Sequence, residues 1–365
     1  MQDVNQVTGN EEIEMYGEKP VRWYQIAARN GVEAALEKNP VARILVELPT
    51  GAGKTITSGL VFTSQRVRRA LQINDERKLR LLFIAHKHRL LTQAELAYAD
   101  AENVEFIPQS AFSEIPKHVM EAGWDIVCID ECHHEAMSTI QYQLDKLGTA
   151  PIVGLTATSS RADGYLIKFD TIVNPITREQ AVAEGYLAET ELYSFVSTAE
   201  TSRVQLVKDM VDQCGDIMDG TMVFMHTKRE VAEIVEHLVS KGLSAVSITD
   251  QKEAEVERIL NAFSTGEYQF VVNCNKISEG VDVVGCTSVI IGRTIGSYPM
   301  LNQIIGRAAR PDSPCRVFEV VDPLSSYNLD TTVVVGTPKV HRLFYTRKGQ
   351  YVSQEFDTSP ADIAA

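Results

Sequence analysis

From Val21 onward, short apolar runs alternate with amphipathic stretches. Arg43–Leu48 reads as a strand, and the stretch from about Gly53 to Ala70 as a helix. Leu79–Ala85 predicts another strand and His88–Asp100 another helix. Trp124–Asp130 and Pro151–Thr156 add two strands. The alternation pauses around Ser159–Gly164 and Pro175–Gly185, then resumes. Thr221–Met225, Leu243–Ile248, Tyr268–Asn273, Ser288–Gly292 and Arg316–Val321 predict strands. Lys228–Lys241, Glu253–Thr265 and Met300–Ala309 predict helices between them. Strands alternating with helices imply βαβ units and a largely parallel sheet. The pattern therefore predicts an α/β chain of two domains, divided near 188–200. Thr332–Val335 and Val352–Phe356 look β-like, so the last segment reads as an edge hairpin on the second domain or as a mobile tail.

Composition narrows the function classes. A chain of 365 residues exceeds what one hydrophobic core usually organises, which agrees with two domains. Hydrophobic residues make up 44% and charged residues 23%, a globular balance. There are 35 basic and 49 acidic residues, a formal net charge of −14. Such a chain repels nucleic acid on average and binds a polyanion only through a local basic cleft. A general DNA coater is excluded; a DNA motor is not. No apolar run reaches transmembrane length, and Met1–Gly17 is polar and acidic rather than a secretory signal. Cysteines at 128, 132, 214, 274, 286 and 315 form no CxxC pair. Together these features predict a cytoplasmic chain with reduced thiols and no membrane partner. Cys128, Cys132, His133 and His134 invite a zinc reading. Cys128 lies in an apolar strand-like run, and the tetrahedral set has no second half, so zinc is not expected.

The chemistry begins at Leu48-Pro49-Thr50-Gly51-Ala52-Gly53-Lys54-Thr55, which follows a strand and opens a helix. That is the context of a phosphate loop. Glycines let backbone N–H groups approach phosphate oxygens, and the helix N-terminus adds a favourable dipole. Pro49, Thr50, Gly51, Ala52 and Gly53 would form the cradle. Lys54 would reach the β- and γ-phosphates, and Thr55 would hold Mg²⁺. The strict pattern has glycine where this chain has Leu48. Farther on, the apolar run Ile126-Val127-Cys128-Ile129 ends at Asp130-Glu131. Both carboxylates then lie at the carboxyl edge of a buried strand, where open α/β sheets bind ligands. Asp130 would hold Mg²⁺, and Glu131 would act as general base on the attacking water.

Asp130-Glu131-Cys132-His133 is a DExH box, and the chain resembles the superfamily-two helicases and translocases over roughly residues 20–325. Its motifs stand in family order. Arg22 and Gln25 resemble the adenine-reading element. Ala85-His86-Lys87-His88-Arg89-Leu90 resembles motif Ia, and Gln109-Ser110 occupies the place of motif Ib. Leu155-Thr156-Ala157-Thr158 resembles motif III, and Phe224-Met225-His226-Thr227-Lys228 motif IV. Ile277-Ser278-Glu279-Gly280-Val281-Asp282 resembles motif V, and Gln303-Ile304-Ile305-Gly306-Arg307-Ala308-Ala309-Arg310 motif VI. Ser159 and Val284 stand where relatives often carry proline.

The resemblance implies two tandem RecA-like domains, each a mostly parallel sheet flanked by helices. The expected divisions are a polar segment 1–19, a first domain 20–190, a second 191–325 and a tail or hairpin 326–365. It implies ATP and Mg²⁺, with Gly280 and Asp282 also at the nucleotide. Arg307 and Arg310, three apart, would lie one helical turn from each other and act as arginine fingers on the transferred phosphoryl group. His133, Thr156, Thr158 and Gln303 would couple nucleotide to nucleic acid.

Thr156–Gly164, Ala181–Leu187 and Ser297-Tyr298 resemble the DNA-directed branch, which includes repair helicases and type I restriction motors, with compact phage or bacterial forms. The expected partner is DNA, single-stranded, duplex or forked. A nucleoid or host-cell cytoplasm would be the compartment. Lys87, Arg89, Gln109, Ser110, Thr227, Lys228 and Ser278 are the candidate strand contacts. His88 and Arg229 flank them, whereas Arg66, Arg68 and Arg69 read as a solvated helix face. Contacts of this kind position a strand without reading its sequence. An RNA-directed remodeller and an ATP-gated binder with a partner subunit are the alternatives.

Overall fold

The computed structural model describes residues 14–17, 19–74, 76–86, 88–132, 148–157, 169–198, 200–274, 283–311, 313–322, 329–347 and 350–356. By contacts the chain divides into two compact units. One holds Gly53–Thr156 with the residues before Leu48, and the other holds Ile176 onward together with the short stretch Leu48–Ala52.

In the first unit, β1 (Met15–Tyr16) and β2 (Lys19–Pro20) form a small antiparallel hairpin. The main strands are β3 (Arg43–Glu47), β4 (Leu79–Ala85), β5 (Val104–Ser110), β6 (Ile126–Asp130), β7 (Ile152–Thr156) and β8 (Thr171–Val173). They form one sheet in the order β5-β4-β6-β7-β3-β8, parallel throughout. Residues 44–46 of β3, 126–129 of β6 and all of β7 are buried. Such unbroken apolar runs belong to parallel strands covered on both faces. Register then sets the site: Asp130 pairs with Leu155, and Thr156 with Glu47. The carboxyl ends of β6, β7 and β3 therefore finish level.

The second unit continues with β9 (Thr190–Val196), β10 (Thr221–Met225), β11 (Ala245–Ile248), β12 (Phe270–Cys274), β13 (Ser288–Ile291), β14 (Cys315–Val321), β15 (Val340–Arg347) and β16 (Gln350–Phe356). Their order is β11-β12-β10-β13-β14-β9-β15-β16. Only the β15–β16 pair is antiparallel. Successive side chains of one strand feed opposite faces. Met222 and Phe224 join one apolar cluster, with Leu301 and Ile304 from the helix Tyr298–Ile305. Val223 and Met225 join another, with Met210 and Ile234 from the helices Arg203–Cys214 and Lys228–Ser240. The fold is α/β with large, mostly parallel sheets flanked by helices.

Several elements differ from the sequence pattern. The helix expected over 53–70 is two helices, Lys54–Phe62 and Gln65–Ala70. Ser64 ends the run because its side chain caps the second helix at the Arg66 N–H. Arg68 is not on a solvated face. It is 2% exposed, and its guanidinium donates to the carbonyls of Asn103, Asn74 and Arg77. Arg66 pairs with Glu33 and Glu37. Thr332–Val335 is a single helical turn rather than a strand. Asp330 favours that turn by accepting from the Thr332 backbone N–H and hydroxyl. The last described segment is a hairpin that adds to the sheet, with β15 lying parallel to β9. No described helix is long and apolar enough to cross a membrane.

Removing Arg68 takes the shared donor from the carbonyls of Asn74, Arg77 and Asn103, of which Asn103 keeps the Leu79 N–H. Arg68→Met is expected to lower unfolding free energy by roughly 3 kcal/mol, read from the urea midpoint. Arg229→Ala, which removes an exposed pair with Glu233, is expected to cost less than about 1 kcal/mol. Equal midpoints for the two variants would show that Arg68 does not tie these loops.

Candidate functional site

The segment between β3 and the helix Lys54–Phe62 turns through two glycines in the left-handed region, Gly51 at φ 88° and Gly53 at φ 83°. The Ala52 N–H donates to the Pro49 carbonyl at 3.0 Å, which closes the turn. Gly53 caps the helix without a side chain. A Cβ at Gly53 would lie 2.6 Å from Gln25 Nε2, so glycine is required there by both conformation and space. Thr50 Oγ1 is buried with no hydrogen-bond partner among the described residues. The loop thus presents a backbone cradle at a helix N-terminus, the geometry suited to phosphate.

Across the level strand ends lie the two carboxylates. Lys54 Nζ stands 3.1 Å from Glu131 Oε1, and both side chains are mostly buried. Glu131 adopts φ 50°, a left-handed backbone unusual for a residue with a Cβ. Its N–H donates to Asp130 Oδ1 at 3.0 Å, which holds the bend. Burial, and then the charge of Glu131, push the Asp130 carboxyl up, while Lys54, the Glu131 N–H and His86 pull it down. Two carboxylates and the Lys54 ammonium thus meet at this edge. A hydroxyl at Thr55 and a carboxylate at Asp130 are oxygen donors of the kind that hold Mg²⁺. The residues present fit a nucleotide triphosphate and its metal.

His86 was not assigned to this site from the sequence. It follows β4, the neighbour of β6, and is 9% exposed. Only the strand order brings it beside Asp130, and spacing along the chain carries no trace of that. Arg22 and Gln25 do meet. The Arg22 backbone N–H donates to Gln25 Oε1 at 2.9 Å, and the Arg22 guanidinium donates to Tyr24 Oη at 2.8 Å. Gln25 thereby connects the start of the helix Trp23–Lys38 to Gly53.

Thr156 is buried at the end of β7. Gln303 is buried in the helix Tyr298–Ile305. That helix stops at Ile305, so Arg307 and Arg310 do not share a regular helix face as the spacing suggested. They sit in a tighter turn, where the N–H of Arg307 donates to Ile304 and that of Ala308 to Ile305. Gly306 lies where a Cβ would run into the Thr50 side chain, which groups with the same unit. Both arginine charges act on Cys286, whose thiol burial pushes up to about 12.

Among the expected strand contacts, Gln109 is not presented to a ligand. It is 4% exposed, and its amide donates to the carbonyls of Ser110 and Ser113 and to Ser113 Oγ. Its role is to shape the loop after β5. Ser110 Oγ accepts from the Phe112 N–H at 3.2 Å. The Thr227 hydroxyl caps the helix Lys228–Ser240 in a reciprocal box with Glu230, and Lys228 pairs with Asp250. Arg89 lies in the helix His88–Ala97, partly buried. Lys87, His133, Thr158, Ser278, Gly280 and Asp282 lie outside the described residues.

Comparison with known proteins gives two matches in tandem. The model for the type III restriction enzyme res subunit matches residues 18–115, and that for the helicase conserved C-terminal domain matches residues 202–312. A Saccharomyces cerevisiae protein assigned as the ATP-dependent helicase IRC3 is 24% identical, over 73% of this chain and 46% of its own. The type I restriction enzyme EcoAI endonuclease subunit of Escherichia coli is 23% identical, over 95% of this chain and 50% of its own. The ATP-dependent RNA helicase DBP2 of Debaryomyces hansenii is 30% identical, over 34% of this chain and 23% of its own. The chain spans about half the length of the first of these curated relatives. A fragment assigned as the HsdR subunit of a type I restriction enzyme from Vibrio vulnificus YJ016 shares the fold. Its TM-score is 0.70 at 20% identity, over 91% of this chain and 70% of that one.

Gly53→Ala adds a Cβ against Gln25 at a positive φ. It is expected to weaken binding of a fluorescent ATP analogue at least about tenfold. An unchanged dissociation constant would show that the loop tolerates the side chain.

Proposed function

We propose that this chain, which belongs to the superfamily-two helicases, hydrolyses ATP to drive movement along DNA. The observation that carries the reading is the Lys54–Glu131 pair beside Asp130, at the carboxyl edge and facing a glycine cradle. A chain that only bound nucleotide would not need a carboxylate held in a left-handed backbone beside the phosphate lysine.

In this reading the N–H groups of the 50–55 loop bind the phosphates, and Lys54 balances their charge. Thr55 and Asp130 hold Mg²⁺, which supplies charge neutralisation at the phosphate oxygens. Glu131 orients the attacking water and takes its proton. When the phosphate chain is bound, Lys54 has anionic oxygens to face besides Glu131, and the carboxylate becomes available as a base. Arg307 and Arg310 act on the charge that develops on the transferred phosphoryl group. Gly280 and Asp282 complete the nucleotide contacts, and His133, Thr156, Thr158 and Gln303 relay the nucleotide state.

DNA is favoured over RNA because the restriction subunit of Escherichia coli is similar over nearly the whole chain. The RNA-helicase similarity is confined to about a third of it. Movement along DNA, rather than sequence reading, suits the hydroxyl and basic groups proposed as contacts, Lys87, Arg89, Ser110, Thr227, Lys228 and Ser278. The alternative of an RNA-directed remodeller rests on the DBP2 similarity. Partner subunits belong to the proposal as well, since the restriction relative is named as a subunit.

Steady-state ATPase without polymer and with single-stranded, duplex and forked DNA or single-stranded RNA tests the reading. Stimulation by DNA is expected. Glu131→Gln is expected to lower the stimulated rate at least about 100-fold while preserving ATP binding. Arg310→Ala is expected to lower it by about 10³-fold or more. Stimulation by RNA alone would replace DNA with RNA. Full activity in Arg310→Ala would remove the arginine-finger assignment.

A further inference from the structure

A cavity of about 400 Å³ lies within the second unit, lined by none of the residues assigned above to ATP or to a strand. Its volume is that of a small-molecule site. Leu192 and Ser194 of β9, Glu319 of β14 and Leu343 of β15 contribute from the sheet. Leu301, from the helix Tyr298–Ile305, contributes a further apolar wall.

The chemistry inside is specific. Ser194 Oγ donates to Glu319 Oε1 at 2.7 Å, and the Thr331 hydroxyl donates to Glu319 Oε2. Ser194 Oγ also lies 3.3 Å from His341 Nε2. An ionised carboxylate offers about four acceptor positions. The two hydroxyls fill one on each oxygen, which leaves one on each. Glu319 lines the cavity, so both of its oxygens keep acceptor capacity at a wall of mixed apolar and polar side chains. Burial raises the Glu319 pKa, against the pull of these two hydroxyl bonds. A buried carboxylate with unused acceptor capacity calls for donors. Burial also lowers the His341 pKa, which favours its neutral form. Arg203 and Arg293 line the same cavity, as does Asp330. The Arg203 side chain makes no hydrogen bond or ion pair among the described residues.

We propose that this cavity binds a guanine nucleotide, with the ring against the aliphatic walls, its N1–H and N2–H donors on the two oxygens of Glu319, and its phosphate towards Arg203. Guanine presents two adjacent donors on one edge. Adenine presents a donor beside an acceptor, and that acceptor would oppose a carboxylate oxygen. A guanidinium has the paired donors but adds a cation beside two arginines and offers no anion to either. The ligand would press on Leu301, in the helix that leads into the Arg307–Arg310 turn. The proposal stands apart from the ATP reading, because no lining residue belongs to that site.

The test is calorimetric titration of the full chain, with a non-hydrolysable ATP analogue at saturation so that the first site is filled. GMP, AMP, inorganic phosphate and free arginine are the probes. GMP is expected to bind one per chain, at least about fivefold tighter than AMP, since a bidentate base contact discriminates by about 1–3 kcal/mol. Glu319→Gln replaces one acceptor by a donor. It is expected to reverse the order, with AMP then tighter than GMP, and to leave ATP-analogue affinity unchanged. A role confined to folding would lower both equally. If Glu319→Gln fails to fold by circular dichroism, Leu343→Phe fills the cavity without touching the carboxylate, and GMP binding is expected to be lost while the analogue still binds. Equal affinities for GMP and AMP, binding of arginine in place of GMP, displacement of GMP by the analogue, or no GMP binding would each overturn the proposal. Failure of the analogue to bind would count against the ATP reading alone.

Discussion

The register of three neighbouring parallel strands is the constraint on which the candidate site depends. β3 delivers the phosphate loop, β6 delivers Asp130 and Glu131, and β7 lies between them. Because Asp130 pairs with Leu155 and Thr156 with Glu47, the ends are level to within a residue. Side chains alternate along a strand, so a slip of one position would exchange the faces of the whole strand. The buried residues of β6 and β7 oppose that slip, because it would break their packing on both faces. The ion pair at 3.1 Å between Lys54 and Glu131 is therefore set by core packing some residues away.

Backbone strain is concentrated at the same edge. Gly51 and Gly53 take left-handed conformations at no steric cost, but Glu131 takes one with a side chain in place. Such a conformation costs of order 1–3 kcal/mol and persists only where the surroundings determine it. Here the Asp130 carboxylate holds the Glu131 N–H, and Lys54 faces the Glu131 side chain. The same two contacts that stabilise the bend also aim the carboxylate. Altering either changes local stability and geometry together.

Much of this was legible along the chain because it is local. Buried parallel strands such as Leu79–Ala85 and Thr221–Met225 are apolar runs bounded by polar residues, and they stand where the pattern put them. Glycines around a lysine after a strand have few other uses. What was not legible depends on distant partners. β9 became recognisable as a strand only through its pairing with β14 and β15. Arg68 looks like its exposed neighbours until the carbonyls of residues 74, 77 and 103 surround it. Gln109 reads as a polar residue at a strand end, where contacts belong, yet the turn through Ser113 draws its amide inward. The regular helix expected through the two arginines ends at Ile305, where the following N–H groups turn to bond three residues back. His86 entered the acidic site through strand order alone.

Electrostatics sets a last condition on any polyanion. Many surface cations of the second unit already face carboxylates: Lys228 with Asp250, Arg229 with Glu233, Lys241 with Asp212, Lys339 with Glu189 and Arg342 with Glu355. Exposed pairs of this kind contribute about 0–1 kcal/mol each. Exchanging a carboxylate for a phosphate oxygen is therefore cheap, but the gain is small for the same reason, because one screened pair replaces another. The carboxylate left behind also repels the incoming chain, and the net charge of −14 adds to that repulsion. A count of lysines and arginines consequently overstates attraction in this molecule. Neutral donors carry no such penalty. Backbone N–H groups at strand ends and hydroxyls such as those of Ser110 and Thr227 can meet phosphate oxygens without first breaking an ion pair. On the proposed reading, they fix where a strand lies, and the few cations outside such pairs govern how strongly salt weakens it.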